Sequence, residues 1–314
     1  MKKILITGSM GQIGSELAPE LRQKYGRDNV IASGRRPSES LSKEGLYEII
    51  DATDKNKLKD VIDRYDIDTI YHLVGILSAK GEENPDVAWD INMNSLKNAL
   101  DLARDMKLKI FWASSIAAFG PNTPQYNTPQ LTIMDPNTMY GVTKYAGELL
   151  CNYYFKKYGV DVRSLRYPGI LSYKTPPGGG TTDYAVAIFY EAIQNKRYTC
   201  FLREDSTLPM MYMPDAIKAT IDIMEAPAEK IKTRFSYNLA AISFAPKELA
   251  TEIRKHMPEF KCDYKPDHRQ KIADSWPKTI DDSQARKDWG WKHKYGLKEM
   301  TEDMLENLKK KIGG

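Results

Sequence analysis

The chain has 314 residues, 41% of them hydrophobic, enough to bury a large core as one domain or two. Its 46 basic and 42 acidic residues leave a net charge of +4, too balanced to point to nucleic acid, and no apolar stretch is long enough for a transmembrane helix. Three scattered cysteines, Cys151, Cys200 and Cys262, argue against a disulfide framework and for a reducing compartment, the cytoplasm.

Residues 2–6 read as a short strand, too close to the start to leave room for a signal or transit peptide. The strand breaks into Gly8-x-x-Gly11-x-x-Gly14, and a helical pattern follows with Ile13, Leu17 and Leu21 on one face. Unpaired N–H groups and a partial positive charge converge at such a helix start, which suits a pyrophosphate. The spacing is not G-x-G-x-x-G, so a merely tight connection stays open as an alternative. Residues 29–33, 47–50, 69–73, 109–113 and 161–166 read as further strands, and 55–65, 84–106 and 139–158 as helices.

Strands alternating with crossover helices predict an α/β fold, a Rossmann-type doubly wound parallel sheet with its ligand at the carboxyl ends of the strands. Beyond Arg166 the alternation lapses. The expected organisation is a dinucleotide-binding domain over 1–170, with segments near 208–240 returning to it. Residues 171–314 are mainly a smaller C-terminal substrate-binding cap. Pro176-Pro177-Gly178-Gly179-Gly180 reads as a flexible or tightly turned loop. Lys309, Lys310 and Lys311 read as a solvated helix end.

The strand over 109–113 runs into Ser114 and Ser115, and Tyr140 and Lys144 share one helix face downstream. An ammonium beside a phenol favours the phenolate, and a phenolate can take a proton from an alcohol. A second such pair, Tyr153 and Lys157, reads as an ordinary surface face. The four histidines, His72, His256, His268 and His293, show no ligand spacing, so no metal is expected. His72 reads as a packed core residue and Asp215 as a first-turn helix acid.

TGSMGQIG, SSIAAFG and YGVTK, in this order, resemble the extended short-chain dehydrogenase/reductase superfamily. SAKGEENP, GGTTDYAV and LPMMYMPDA narrow the resemblance to its short-chain L-threonine 3-dehydrogenase group, from residue 2 to about residue 310. The resemblance implies NAD-dependent oxidation of the L-threonine hydroxyl carbon to 2-amino-3-oxobutanoate, without a metal, by a homodimer. It implies Tyr140 as general base, Lys144 as its partner and nicotinamide-ribose ligand, and Ser115 as the active-site hydroxyl. Ser78, Ser114, Thr182 and Asp183 become substrate contacts, although Ser, Thr and Asp also serve ordinary loop capping. The cofactor is expected against Gly8, Gly11, Gln12, Ile13, Gly14, Arg35, Asp51, Ala52, Leu73, Lys144, Pro168 and Ile170.

One position departs from the group. The acid expected at the end of the second strand is Gly34, followed by Arg35 and Arg36. NAD stays first, with NADP as the alternative, because an arginine can pair with a 2′-phosphate. Two other functions stay open: a nucleotide-sugar epimerase or dehydratase on the same fold, and a non-catalytic dinucleotide sensor.

Overall fold

The apolar runs of the first half of the chain pair side by side, with residues 4–7, 30–34 and 69–72 buried throughout. The computed structural model describes residues 1–178 and 180–313. In chain order the elements are β1 (Ile4–Thr7), α1 (Gln12–Tyr25), β2 (Val30–Gly34), α2 (Glu39–Glu44), β3 (Tyr47–Ile49), α3 (Lys55–Tyr65), β4 (Thr69–His72), α4 (Ser78–Glu83), α5 (Pro85–Trp89), α6 (Ser95–Met106), β5 (Lys109–Ser115) and α7 (Met139–Tyr158). Then follow β6 (Val162–Tyr167), β7 (Gly169–Leu171), α8 (Tyr184–Asn195), β8 (Arg197–Cys200), β9 (Leu208–Tyr212), α9 (Met213–Glu225), β10 (Tyr237–Asn238), β11 (Ile242–Phe244), α10 (Pro246–His256), β12 (Lys261–Tyr264), α11 (Arg269–Asp274), α12 (Ser283–Trp289) and α13 (Leu297–Gly313).

Seven strands form one sheet in the order β10-β6-β5-β4-β1-β2-β3. The pairs β1–β2, β1–β4, β2–β3 and β4–β5 are parallel. Leu5 stands opposite both Ile31 and Ile70, and Ile70 opposite Ile110, so one row of fully buried side chains crosses four strands. Strand order reverses between β1 and β4, and a ligand crevice opens beyond the carboxyl ends at such a point. This is the expected doubly wound α/β architecture.

The chain divides into two compact units. The first holds Met1–Ser115, Thr138–Arg166 and Ile217–Tyr237; the second holds Ile116–Asn137, Tyr167–Ala216 and the residues from Asn238 onward. The boundaries differ from those read in the sequence. Residues 116–137 belong to the second unit because Thr128 pairs with Ile280 and its N–H donates to the Thr279 carbonyl. Residues 208–216 stay there too, since β9 pairs with β7 and β11 in a three-stranded sheet. Gly179, in the expected proline-glycine loop, lies outside the described residues.

The helix expected over 84–106 is three pieces. Between α5 and α6, Asp90–Asn94 makes a π-helical turn. Its Asn92 side chain accepts from the Ile76 N–H at 2.7 Å and donates to the Ile76 carbonyl at 3.2 Å and to Thr143 Oγ1 at 3.0 Å. A widened turn of this kind commonly marks a functional segment.

Among the described residues no group of His, Cys, Asp or Glu could hold a metal ion, and no helix is long and apolar enough to cross a membrane.

Candidate active site

The glycine turn after β1 is built by close approach. Gly8 has φ +77°, and a Cβ there would lie 2.9 Å from the Leu73 carbonyl carbon. A Cβ on Gly14 would lie 2.5 Å from the Gly8 carbonyl oxygen, so no larger residue lets α1 start this close to the turn. The turn is tied to β2 by Ser9, whose N–H and hydroxyl both donate to the Ser33 carbonyl.

Beside it lies a cavity of about 450 Å³, lined among others by Gly8, Gly11, Arg35, Asp51, Ala52 and Leu73. Of the other expected cofactor residues, Gln12, Ile13 and Gly14 form the first turn of α1. The sequence reading missed Met10, Ile76 and Lys80, which also line the cavity and carry no glycine or acid signature. Asp51 Oδ1 accepts from the Thr53 N–H and hydroxyl. Desolvation opposes its ionisation but is outweighed by these bonds and by Arg35, so its carboxyl stays below the usual range. Glycine backbone against open space at a helix start fits a dinucleotide pyrophosphate.

In the same unit, β5 and α7 bring three expected residues together. The Ser115 hydroxyl is hydrogen-bonded to the Tyr140 side chain. The Lys144 ammonium lies 5.3 Å from the Tyr140 ring centre, donates to the Ala113 carbonyl at 2.6 Å, and sits 4.8 Å from the Trp112 ring centre. Gly147 makes this approach possible, since a Cβ there would lie 2.5 Å from Trp112 Cη2. Desolvation pushes the Tyr140 phenol up to about 12, against the pull of Ser115. This differs from the expected lowering: the lysine stands over the ring face, and the cost of burying a phenolate dominates. Burial brings Lys144 down to about 8.

Ser114 does not face this cluster. Neighbouring residues of a strand point to opposite sides, and the buried Ser114 hydroxyl donates to Glu148 Oε1 at 2.6 Å. Glu148 is fully buried and paired with Arg166 at 2.6 Å. Ser114 therefore belongs to a buried polar network with Glu148 and Arg166. Ser78 opens α4, buried, and α4 runs along α7: a Cβ on Gly81 would lie 4.0 Å from Tyr140 Cβ, and the Met139 N–H donates to Glu82 Oε1. Tyr153 and Lys157 are an exposed hydrogen-bonded pair.

His72 is fully buried, with Nδ1 2.9 Å from Thr7 Oγ1 and Nε2 3.1 Å from Ser95 Oγ. Desolvation first, and Lys144 second, bring its pKa from 6.5 to about 3. The folded chain therefore refuses a proton that the unfolded chain accepts. This contribution to stability is intact above pH 6.5 and falls by about 1.4 kcal/mol per unit as pH drops from there toward 3. His72→Gln, which takes up no proton, flattens the acid limb of a curve of thermal midpoint against pH. An unchanged limb would assign the acid sensitivity to other groups.

In the second unit, Pro168 precedes β7, Ile170 lies within it, and Thr182 and Asp183 precede α8. Asp183 Oδ2 accepts from the N–H groups of Gly178 at 2.6 Å and Gly180 at 2.8 Å. Thr182 packs on Gly169, where a Cβ would lie 2.7 Å from Thr182 Cγ2. Capping is thus visible for Asp183. If its charge also holds substrate ammonium, Asp183→Asn raises KM by roughly ten- to hundredfold, the value of a charged hydrogen bond. Steady-state kinetics giving an unchanged kcat/KM leaves it with loop capping alone.

The sequence profile of the NAD dependent epimerase/dehydratase family matches residues 4–240. An uncharacterised epimerase/dehydratase of Staphylococcus haemolyticus is 50% identical over 314 residues, covering 99% of each chain. The crystal structure of L-threonine dehydrogenase from Clostridium difficile superposes with a TM-score of 0.98 at 54% identity, covering 100% of this chain and 99% of that one. A monomeric L-threonine 3-dehydrogenase from a metagenome superposes with a TM-score of 0.95 at 46% identity, covering 98% and 99%.

Proposed function

The chain belongs to the NAD dependent epimerase/dehydratase family, and on that premise we propose that it oxidises L-threonine to 2-amino-3-oxobutanoate. The observation that carries this reading is the Ser115–Tyr140 hydroxyl pair beside the Lys144 ammonium. Bound NAD supplies the hydride acceptor. Gly8, Gly11, Gln12, Ile13 and Gly14 would hold the pyrophosphate; Arg35, Asp51 and Ala52 would hold the adenosine side; Leu73, Lys144, Pro168 and Ile170 are assigned to the nicotinamide side. Ser115 holds the substrate hydroxyl oxygen. Tyr140 would take the hydroxyl proton as the carbon bearing that hydroxyl loses its hydride. Lys144 would stabilise the phenolate that burial alone disfavours. Ser78, Thr182 and Asp183 are assigned to the ammonium and carboxylate of the amino acid.

The three free thiols, Cys151, Cys200 and Cys262, support a cytoplasmic place for the enzyme. A homodimer is supported by Val142, Leu149 and Tyr153, exposed along α7, and by Trp89, exposed on the neighbouring α5. Sedimentation velocity reads this directly.

The test is a spectrophotometric panel of L-threonine, L-serine and UDP-sugars against NAD and NADP. L-threonine-dependent reduction of the nicotinamide supports the reading. Turnover of a UDP-sugar without L-threonine oxidation would move the chain to the epimerases and dehydratases. Cofactor binding with no turnover would make it a sensor.

A further inference from the structure

The amino ends of β4 and β5 carry a second cavity, at the opposite edge of the sheet from the glycine turn. It holds about 510 Å³, lies within the first unit and is lined among others by Tyr25, Asp68, Thr69, Lys107, Lys109 and Glu225. Thr69 and Lys109 open the two strands and stand opposite each other in the parallel register.

The carboxylates of this lining are committed. Asp68 Oδ2 accepts from the N–H groups of Lys2 at 2.6 Å and Lys3 at 3.2 Å, and Oδ1 accepts from the Thr69 hydroxyl. One Glu225 oxygen pairs with Lys24 at 2.6 Å, and the other accepts from the Tyr25 hydroxyl. The cations of the lining are not committed. Lys107 is exposed, and its ammonium has no hydrogen bond or ion pair among the described residues. Lys109 is half-buried and donates to one acceptor, the Met224 carbonyl at the end of α9. An ammonium has three N–H groups, so two remain for a ligand.

Lys109 is not needed to close that helix end. Arg163 already donates to the carbonyls of Ile223 at 2.6 Å, Met224 at 3.4 Å and Ala226 at 2.5 Å. Asp161, an acid near Lys109, is taken by Arg163 at 3.0 Å and by Arg234 at 2.6 Å. Burial first, and Arg163 second, hold the Lys109 ammonium down at about 8, and the pull of Asp161 and Asp68 does not offset them. A cation held down by burial and like charge has surroundings short of an anion.

We infer that this cavity binds a small doubly charged tetrahedral oxyanion, as free phosphate or as a small phosphomonoester, with Lys109 as the inner cation and Lys107 as the outer one. The site is separate from the glycine turn and stands whether or not L-threonine is the substrate.

The test is calorimetric titration of the full chain with sulfate, a tetrahedral dianion that does not titrate near pH 8. It is run at that pH and constant ionic strength, in buffers of different ionisation heat. Saturating adenosine diphosphate occupies the glycine turn, and the Lys109 variants decide the site with or without it. The unaltered chain binds one sulfate and takes up as much as about half a proton, because the anion draws a half-protonated ammonium fully into its charged form. Lys109→Met weakens sulfate by roughly ten- to hundredfold, the value of a charged hydrogen bond, and abolishes the uptake. Lys109→Arg keeps the cation and the binding but also loses the uptake, so the assignment does not hang on the folding of the methionine variant. Lys107→Ala costs roughly two- to fivefold, the scale of an exposed charge. Glycerol 3-phosphate binding tighter than sulfate assigns the remaining volume to the organic part of a monoester; weaker binding assigns the site to free phosphate. Absence of sulfate binding overturns the inference. Sulfate binding unchanged in Lys109→Met does so too, and leaves Lys109 as a second cation on the end of α9.

Discussion

On the proposed reaction, Tyr140→Phe is expected to lower kcat with L-threonine by roughly two to four orders of magnitude, the range for loss of a general acid–base group. The ring stays in place over Lys144, so packing is kept, and only the proton acceptor and its bond to Ser115 are lost. Cofactor affinity changes far less, because the glycine turn and the cavity beside it do not include the phenol. A second readout separates chemistry from structure. Burial holds the phenol up at about 12, so the active, deprotonated fraction grows as pH rises. The rate of the unaltered chain therefore climbs with pH, and Tyr140→Phe abolishes that climb. Stopped-flow and steady-state kinetics across a pH series check both statements. Near-normal turnover in Tyr140→Phe would remove Tyr140 from the mechanism.

Glu148→Ala costs about 3–5 kcal/mol of stability, the usual loss when one partner of a buried ion pair is removed. Arg166 is only 2% exposed, and it would keep its charge without the carboxylate that now takes bonds from both Nε and Nη2. The Ser114 hydroxyl loses its acceptor in the same step. Glu148→Leu with Arg166→Met, which removes both charges, recovers much of the loss, since the cost lies in the unpaired charge. Urea unfolding followed by linear extrapolation gives the numbers. A loss in Glu148→Ala below about 1 kcal/mol, the scale of an exposed pair, would mean that water reaches this pair.

Helices with good ends were legible. α3 spans the residues read from its pattern, because the Asp54 side chain accepts from the N–H groups of Asn56 and Lys57. α7 does so because Thr138 accepts from the Gly141 N–H at one end and Gly159 takes φ +71° at the other. α2 and α4 went unread: each has six residues, too few for a periodic signal, and Leu77 offers α4 no side-chain cap. The proximity of Ser115, Tyr140 and Lys144 follows from a strand end and one helix face, both of which sequence carries. The Glu148–Arg166 pair does not, since a buried charge and a solvated one look alike until distant segments meet. Gly34 shows the same limit. Sequence reported a missing acid, while the Tyr47 phenol that comes up beside it from the next strand shows only in the fold.

The π turn at Asp90–Asn94 carries one residue more than a regular helix would need. Deleting a single residue there would straighten the helix and improve its local hydrogen bonding. It would also turn everything on one side of the deletion by about 100° relative to the other. Asn92 would leave the Ile76 backbone and Thr143, and the outer apolar stripe of α5 would rotate against α7. The widened turn thus acts as a phase setter between two helical faces. Length changes in this segment are tolerated only in steps that restore the phase, and a one-residue indel here is far more damaging than the same change in an exposed loop.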